Sequence, residues 1–199
     1  IRDLVHEFGS PLLIFSTRIV REKYRILRTA LDRYYPNSTI AYSLKTNFLP
    51  AIVKLLKAEG AQAEVVSGFE YWLAKKIGFA PQEIIFNGPH KKAEDLIRAL
   101  CEKTIVNLDN EEEARTVAEL AGNTDTPLAV GIRVNFKIGG ASWNRFGFNL
   151  ENGEAYNFVK RLKQSCPSVT ISGLHTHMGT NIGDPSLYRQ AAERLADFA

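Results

Sequence analysis

The chain has 199 residues, of which 45% are hydrophobic and 24% are charged, and this composition is that of a folded globular domain. Its formal net charge of +3 arises from 25 basic and 22 acidic residues scattered along the sequence, which argues against a nucleic-acid surface because no basic stripe is present. No apolar run could cross a membrane and neither Cys101 nor Cys166 has metal-binding spacing, so we expect a cytoplasmic protein.

Residues 1–38 are expected to form a lead-in to the main domain. Ile1–Phe8 predicts a short helix, Leu12–Phe15 predicts a short strand, and Arg18–Tyr34 predicts a long amphipathic helix. The apolar side chains expected on one face of the long helix are Ile19, Tyr24, Leu27 and Leu31.

From residue 39 onward, a short apolar strand followed by an amphipathic helix recurs six times. The predicted strands are Ile40–Leu44, Ala63–Val66, Ile84–Phe86, Thr104–Val106, Leu128–Val134 and Val169–Leu174. The predicted helices are Leu49–Glu59, Phe69–Ile77, Lys91–Glu102, Glu111–Ala121, Glu154–Ser165 and Ser186–Phe198. This alternation predicts right-handed βαβ units and a parallel sheet.

Polar residues follow all six predicted strands, where each strand passes into its loop. They are Lys45, Ser67, Asn87, Asn107 with Asp109, Arg133 with Asn135, and His175 with His177. This distribution favours a (β/α)₈ barrel, whose sites lie at the carboxyl ends of all its strands, over an open sheet with one switch point. The open sheet is also disfavoured because the first turn lacks a glycine-rich dinucleotide fingerprint. Residues 39–199 are therefore expected to be about six units of an eight-unit barrel, and the chain to be the N-terminal part of a longer protein.

The first predicted strand of the barrel ends at Lys45. A lysine at the mouth of a buried strand loses hydration, and its lowered pKa allows the amine to attack a carbonyl. Lys45 is therefore a candidate Schiff-base lysine. The alternative is an ordinary surface lysine at the point where the strand reaches water.

The sixth predicted strand is followed by two histidines, His175 and His177, whose side chains point to one side in extended backbone. One interpretation is structural, with a hydrogen-bonded ring and an exposed ring. A second is a metal site, which would make the protein a metal-dependent barrel hydrolase, although catalytic zinc requires a third protein ligand. The third is a neutral imidazole packed flat on a planar cofactor.

Met178–Asn181 favours the third interpretation, because its glycine permits close backbone approach and its N–H groups can form an anion-binding nest. A lysine amine, a stacking imidazole and a phosphate nest on one barrel face are the requirements of pyridoxal 5′-phosphate (PLP).

The chain resembles the fold-type III PLP-dependent decarboxylases, the group of diaminopimelate, ornithine and some arginine decarboxylases, which have a barrel of the alanine racemase-like type. The stretches that carry the resemblance are Tyr42–Asn47, Ala63–Glu70, Ile85–Lys91, Asn144–Gly147 and Gly173–Thr180. They occur in the family's order over nearly the whole chain.

The resemblance implies that Lys45 forms the Schiff base with PLP and that His177 stacks on the pyridine ring. It also implies that Thr180 and the Gly179 region contact the phosphate. The activity implied is decarboxylation of a small L-amino acid resembling diaminopimelate, ornithine, arginine or lysine, in lysine or polyamine biosynthesis. A non-catalytic PLP-binding barrel protein stays open as an alternative.

Two further residues are implied to lie near the cofactor. Glu64 stands where the family usually has aspartate, and Arg133 matches the family's arginine at the end of the fifth predicted strand. The alternative is a purely structural ion pair between Glu64 and Arg133. Arg145 belongs to the family's Arg-Phe-Gly stretch, but the resemblance implies no role for it.

The resemblance also requires parts that the chain lacks. These are a glycine-rich phosphate loop, a glutamate facing the pyridine nitrogen, the remaining barrel strands, and a C-terminal β-domain whose cysteine, acid and tyrosine complete an active site shared across a homodimer. The full-length protein is therefore expected to be a homodimer, and the 199-residue stretch alone is expected to be inactive.

Overall fold

The computed structural model describes residues 1–139 and 145–199 of the chain. The helices are α1 Arg2–Phe8, α2 Thr17–Tyr34, α3 Pro50–Ala58, α4 Gly68–Ile77, α5 Ala93–Cys101, α6 Glu111–Gly122, α7 Glu154–Ser165 and α8 Pro185–Phe198. The strands are β1 Ala41–Ser43, β2 Gln62–Val65, β3 Ile84–Phe86, β4 Ile105–Leu108, β5 Leu128–Asn135, β6 Phe148–Asn149 and β7 Val169–His175. The six predicted strand and helix units are confirmed, and β6 is an addition.

All the strand pairs are parallel, as the alternating pattern predicted. Strands β1 to β5 pair in chain order, and β7 pairs with β5. The two-residue β6 pairs with the carboxyl end of β5. In this register Ser43 lies opposite Glu64, and Asn107 lies opposite Gly131. The sheet is part of a barrel, and it brings the carboxyl ends of its strands to one edge.

Side-chain caps start two of the helices close to that edge. Ser67 accepts a hydrogen bond from the N–H of Glu70, and Asn110 accepts one from the N–H of Glu113. Each cap lies two residues after a strand, so helices α4 and α6 begin immediately above β2 and β4. The loops from β2 to α4 and from β4 to α6 are consequently short.

The main core lies between the sheet and the helices that follow it, and both strand and helix residues contribute to it. Burial alternates along β2, where Ala63 and Val65 face the core. The rings of Tyr71 and Phe86 stack with their centroids 5.7 Å apart, and those of Phe148 and Phe158 stack at 3.8 Å. The second pair explains how β6 is held although it is only two residues long.

Helix α2 packs beside the barrel through a smaller core, in which Tyr24 contacts the cluster of Leu56 and Ala61. The predicted apolar face is partly wrong, because Leu27 is 51% exposed and Ile19 is 47% exposed. The side of α2 that joins the smaller core carries Val20 and Tyr24, and the two exposed side chains are not part of that core. In residues 1–139 and 145–199, none of the helices combines the length and apolarity needed to span a membrane.

The predicted strand at Leu12–Phe15 is wrong. Within the described parts of the chain this segment has no strand partner, and Leu13 is 89% exposed. A β-prone sequence becomes a strand only when a neighbour satisfies its N–H and C=O groups.

Candidate active site

A cavity of about 630 Å³ lies at the carboxyl ends of β1, β2, β3, β5 and β7, a size suited to a small ligand. All six residues predicted to bind the cofactor or act in catalysis line it: Lys45, Glu64, Arg133, His177, Gly179 and Thr180. Residues far apart in the sequence therefore meet at one site.

Lys45 lies on a 3₁₀ turn, Leu44–Thr46, that directly follows β1. Leu44 is fully buried, whereas Lys45 faces the cavity and is exposed. The expectation that Lys45 loses its hydration by burial is therefore wrong for this chain, because the buried position of the turn is taken by the residue before it. Its amine is accessible to a ligand.

Glu64 is held from two sides within the sheet. Its Oε2 accepts a hydrogen bond from the Ser43 hydroxyl, and its Oε1 accepts one from Asn87 Nδ2 at 3.0 Å. The alternative of a structural ion pair between Glu64 and Arg133 is wrong, because Arg133 pairs instead with Asp109 at 2.6 Å.

Arg133 is fixed by a second set of contacts at the end of β5. Asp109 accepts a hydrogen bond from Arg133 through Oδ2 and one from the Gly147 N–H, at 2.8 Å, through Oδ1. Gly147 has φ +79°, and a Cβ there would lie 2.6 Å from the Arg133 carbonyl oxygen. Glycine is therefore required for the chain to close over Arg133.

Phe146, from a stretch that carried part of the family resemblance, packs on the same arginine. The Phe146 ring centroid lies 5.3 Å from the Arg133 guanidinium carbon and 5.9 Å from that of Arg145. Asn144 lies outside the described residues. The described part of the stretch thus closes one side of the cavity and holds Arg133 against it.

Both histidines line the cavity, and the surroundings lower the pKa of both, which favours the neutral form. Burial, followed by the charges of Arg133, His177 and Lys45, lowers the pKa of His175 to about 4. Burial and the charges of Lys45 and Arg133 also lower the pKa of His177, while Glu64 opposes this effect. A neutral imidazole offers a flat, uncharged face to a planar ligand, as the third interpretation requires.

The lowered pKa of His175 makes stability depend on pH. The unfolded chain binds a proton near pH 6.5 whereas the folded chain does so near pH 4, so stability falls as pH drops through this window. Between pH 7 and pH 5 the parent protein should lose about 2 kcal/mol of unfolding free energy because of His175, and His175→Gln should not show this loss. Urea unfolding of the cofactor-free protein at both pH values measures this loss.

His6→Gln provides the control, because His6 is exposed on α1 and its removal tests the loss of a histidine outside the cavity. An equal loss of stability in His175→Gln and the parent protein would show that His175 does not stay neutral in the fold.

The metal interpretation of the two histidines finds little support. In the described parts of the chain no three His, Cys, Asp or Glu side chains form a group that could hold a metal ion. The positive charges of Lys45 and Arg133 also act on both imidazoles, and they would repel a divalent cation.

The turn after His177, where the sequence predicts an anion-binding nest, has positive φ at two residues. Gly179 has φ +127° and Asn181 has φ +55°, and both line the cavity with Thr180. Glycine adopts the first conformation freely, whereas the second is uncommon for a residue with a side chain. An accessible amine, neutral imidazole faces and this turn together fit PLP.

Two of the strand-end residues grouped with the site have other roles. Ser67 caps α4, as described above. Asn135 donates hydrogen bonds to the carbonyl oxygens of Phe146 and Gly147 at 2.9 and 3.0 Å, so it supports the loop and does not enter the cavity.

Sequence analysis missed a buried ion pair that braces the cavity wall. Lys91 Nζ lies 3.0 Å from Glu113 Oε2, and the two side chains are 0% and 2% exposed. Lys91 Nζ also donates to the carbonyl oxygen of Gly88, which lines the cavity with Pro89. Lys91 occurs in a stretch that carried the resemblance, but only the burial of both partners reveals the pair.

The parallel (β/α) barrel and the polar cavity at the carboxyl ends of its strands define the class of barrel proteins that bind a small ligand at this face. A family described as "Pyridoxal-dependent decarboxylase, pyridoxal binding domain" matches residues 18–199. The chain belongs to this family, and the cofactor of the family is PLP.

The relatives agree in sequence and in fold. Diaminopimelate decarboxylase of Aquifex aeolicus is 31% identical over 100% of this chain and 48% of its own length. That of Bacillus subtilis is 27% identical over 96% of the chain and 46% of its own length. The crystal structure of the M. jannaschii diaminopimelate decarboxylase with L-lysine has a TM-score of 0.89 at 28% identity, over 98% of this chain and 48% of that one. The chain thus spans about half the length of the curated relatives it matches.

Proposed function

We propose that this chain is the lysine-bearing, cofactor-binding part of a PLP-dependent L-amino-acid decarboxylase. The observation that carries the proposal is that Lys45, His177 and the four other residues predicted from sequence line one cavity. Membership of the pyridoxal-dependent decarboxylase family supports the reaction class. Residues 1–38 would be a lead-in, and residues 39–199 the incomplete barrel.

Each of these cavity residues would have a separate role toward the cofactor. Lys45 Nζ would hold the cofactor through a covalent bond to its aldehyde carbon. His177 would pack its neutral ring on the pyridine, and the N–H groups of the Gly179–Asn181 turn would bind the phosphate. When bound, PLP supplies the electron sink that accepts the electrons left by departing CO₂.

Glu64 and Arg133 would set the charge around the cofactor. Both are held by neighbouring strands, Glu64 by Ser43 and Asn87 and Arg133 by Asp109. Their fixed positions would keep the electrostatic environment of the ring constant during turnover.

Diaminopimelate is the substrate we propose first, because the relatives quoted above are named diaminopimelate decarboxylases. L-Ornithine, L-arginine and L-lysine are the other candidates, since the resemblance to the wider decarboxylase group includes them. We also propose that the full-length protein is a cytoplasmic homodimer.

The test is release of CO₂ by the purified full-length protein with PLP and each candidate amino acid. We expect kcat/KM to be highest for diaminopimelate, at least about tenfold above the next substrate, because a site that pairs with its distal carboxylate is left unpaired by the three amino acids that lack this group. Bound PLP without CO₂ release from any of the four would contradict decarboxylation and favour the non-catalytic alternative.

A further inference from the structure

Four strand-end side chains form a continuous row of hydrogen bonds across β1 to β4, which we call the amide ladder: Ser43, Glu64, Asn87 and Asn107. Asn107 Nδ2 donates to Asn87 Oδ1 at 2.7 Å, and Asn87 Nδ2 donates to Glu64 Oε1 at 3.0 Å. The Ser43 hydroxyl donates to the other oxygen of Glu64. Asn87 and Asn107 are buried, so the bond between them is shielded from water.

Every bond in the amide ladder points toward Glu64. Asn107 donates to Asn87 and Asn87 donates to Glu64, so the two amide dipoles are aligned head to tail. A carboxylate that accepts at both oxygens is held in one orientation, and hydrogen bonds to a charged acceptor are the stronger kind. The row is therefore built to hold an anion at the cavity.

The neighbouring strand leaves space for the far end of the row. Gly131 on β5 lies opposite Asn107, and a Cβ at Gly131 would collide with Asn107 Oδ1. The glycine does not have positive φ, so the space itself is what the position provides. Asn107 thus reaches its place only because β5 carries no side chain there.

We propose that Asn107 and Asn87 are positioning residues that fix the Glu64 carboxylate for the bound cofactor. The inference rests on the proposed function for the role of Glu64, but the amide ladder itself is a property of the chain. Asn107 is absent from the cavity lining, so it acts through Asn87. The charge of Glu64 acts on His177, so a displaced carboxylate changes the environment of the ring that would pack on PLP.

Asn107→Asp provides the sharpest test because it changes the shape of the side chain very little. An aspartate only accepts hydrogen bonds, so the amide of Asn87 must turn over to donate to it. The oxygen of Asn87 then faces Glu64 Oε1, so two hydrogen-bond acceptors oppose each other where a donor faced an acceptor before. Adding Glu64→Gln supplies a donor that matches the reversed amide, so the double variant restores a complete row.

The first measurement is a double-mutant cycle on the unfolding equilibrium of the cofactor-free protein. We expect Asn107→Asp to raise the unfolding constant about tenfold or more, and the double variant to recover most of this loss. Asn37→Asp, on an exposed turn, is the control and should change little. If the effects of Asn107→Asp and Glu64→Gln on the free energy of unfolding were strictly additive, the two residues would not be coupled and the amide ladder would be wrong.

The second measurement is the absorbance band of bound PLP and its dissociation constant. We expect Asn107→Asp to shift the band and weaken PLP binding about tenfold, which a loss of stability alone would not do. Should that variant fail to fold, Asn107→Ala also removes the donor to Asn87 and should shift the band. An unchanged band in a folded variant would overturn the positioning role. The two proposals can fail separately. If Asn107 and Glu64 are coupled in the cofactor-free protein but the parent protein does not bind PLP, the proposed function is rejected and the amide ladder stands.

Discussion

Lys45→Ala should abolish the absorbance band of lysine-bound PLP in the full-length protein and lower kcat/KM by about a thousandfold or more. The proposal gives Lys45 the covalent bond to the cofactor, and alanine cannot form it. The cavity itself should persist, because Lys45 is exposed on its turn and the buried residue there is Leu44. The stability of the variant should therefore stay close to that of the parent protein.

Lys54→Ala is the matched control, because Lys54 is an exposed lysine on the neighbouring helix α3 and does not line the cavity. It should retain the band and the activity. A normal band in Lys45→Ala would remove Lys45 from its proposed role, and loss of the band in both variants would point to a general effect of removing a lysine.

Lys91→Met should destabilise the protein by about 3–5 kcal/mol, since it leaves the charge of Glu113 buried without its partner. Glu113 also accepts hydrogen bonds from the N–H groups of Lys91 and Asp109, at 2.9 Å each, so its carboxylate cannot move into water without breaking them. Urea unfolding of the variant and the parent measures the difference.

The adjacent Lys92 is exposed, and Lys92→Met should cost at most about 0.5 kcal/mol. Adding Glu113→Gln to Lys91→Met should recover part of the loss, because the uncompensated charge is then gone. Equal small effects of the two lysine substitutions would show that the buried pair contributes little.

The order of strands and helices follows directly from the sequence because each strand is a short apolar run and each helix has a clear period. Strand β6 escaped prediction because two residues, Phe148 and Asn149, carry no periodicity. Leu12–Phe15 was predicted as a strand from its composition alone, but a strand also requires a partner, and composition does not specify one.

The site residues could be predicted because chemistry and strand position both pointed to Lys45, His177 and the turn after it. Their supports could not be predicted. Whether Asn87 donates to Glu64 or faces the core depends on the register of β2 and β3, and the burial of Lys91 depends on how two loops pack. The positions of Asn87, Asn107 and Asp109 at the strand ends could be predicted, but the side chains to which they bond could not.

We propose that Lys45 holds the cofactor, and the point of attachment can be measured directly. Borohydride reduction of the full-length protein with PLP makes the bond to lysine permanent, and peptide mass spectrometry then locates the modified residue. We expect the pyridoxyl group on the peptide that contains Lys45, in nearly stoichiometric yield. Its appearance on another lysine, such as Lys91, or on none, would contradict the claim.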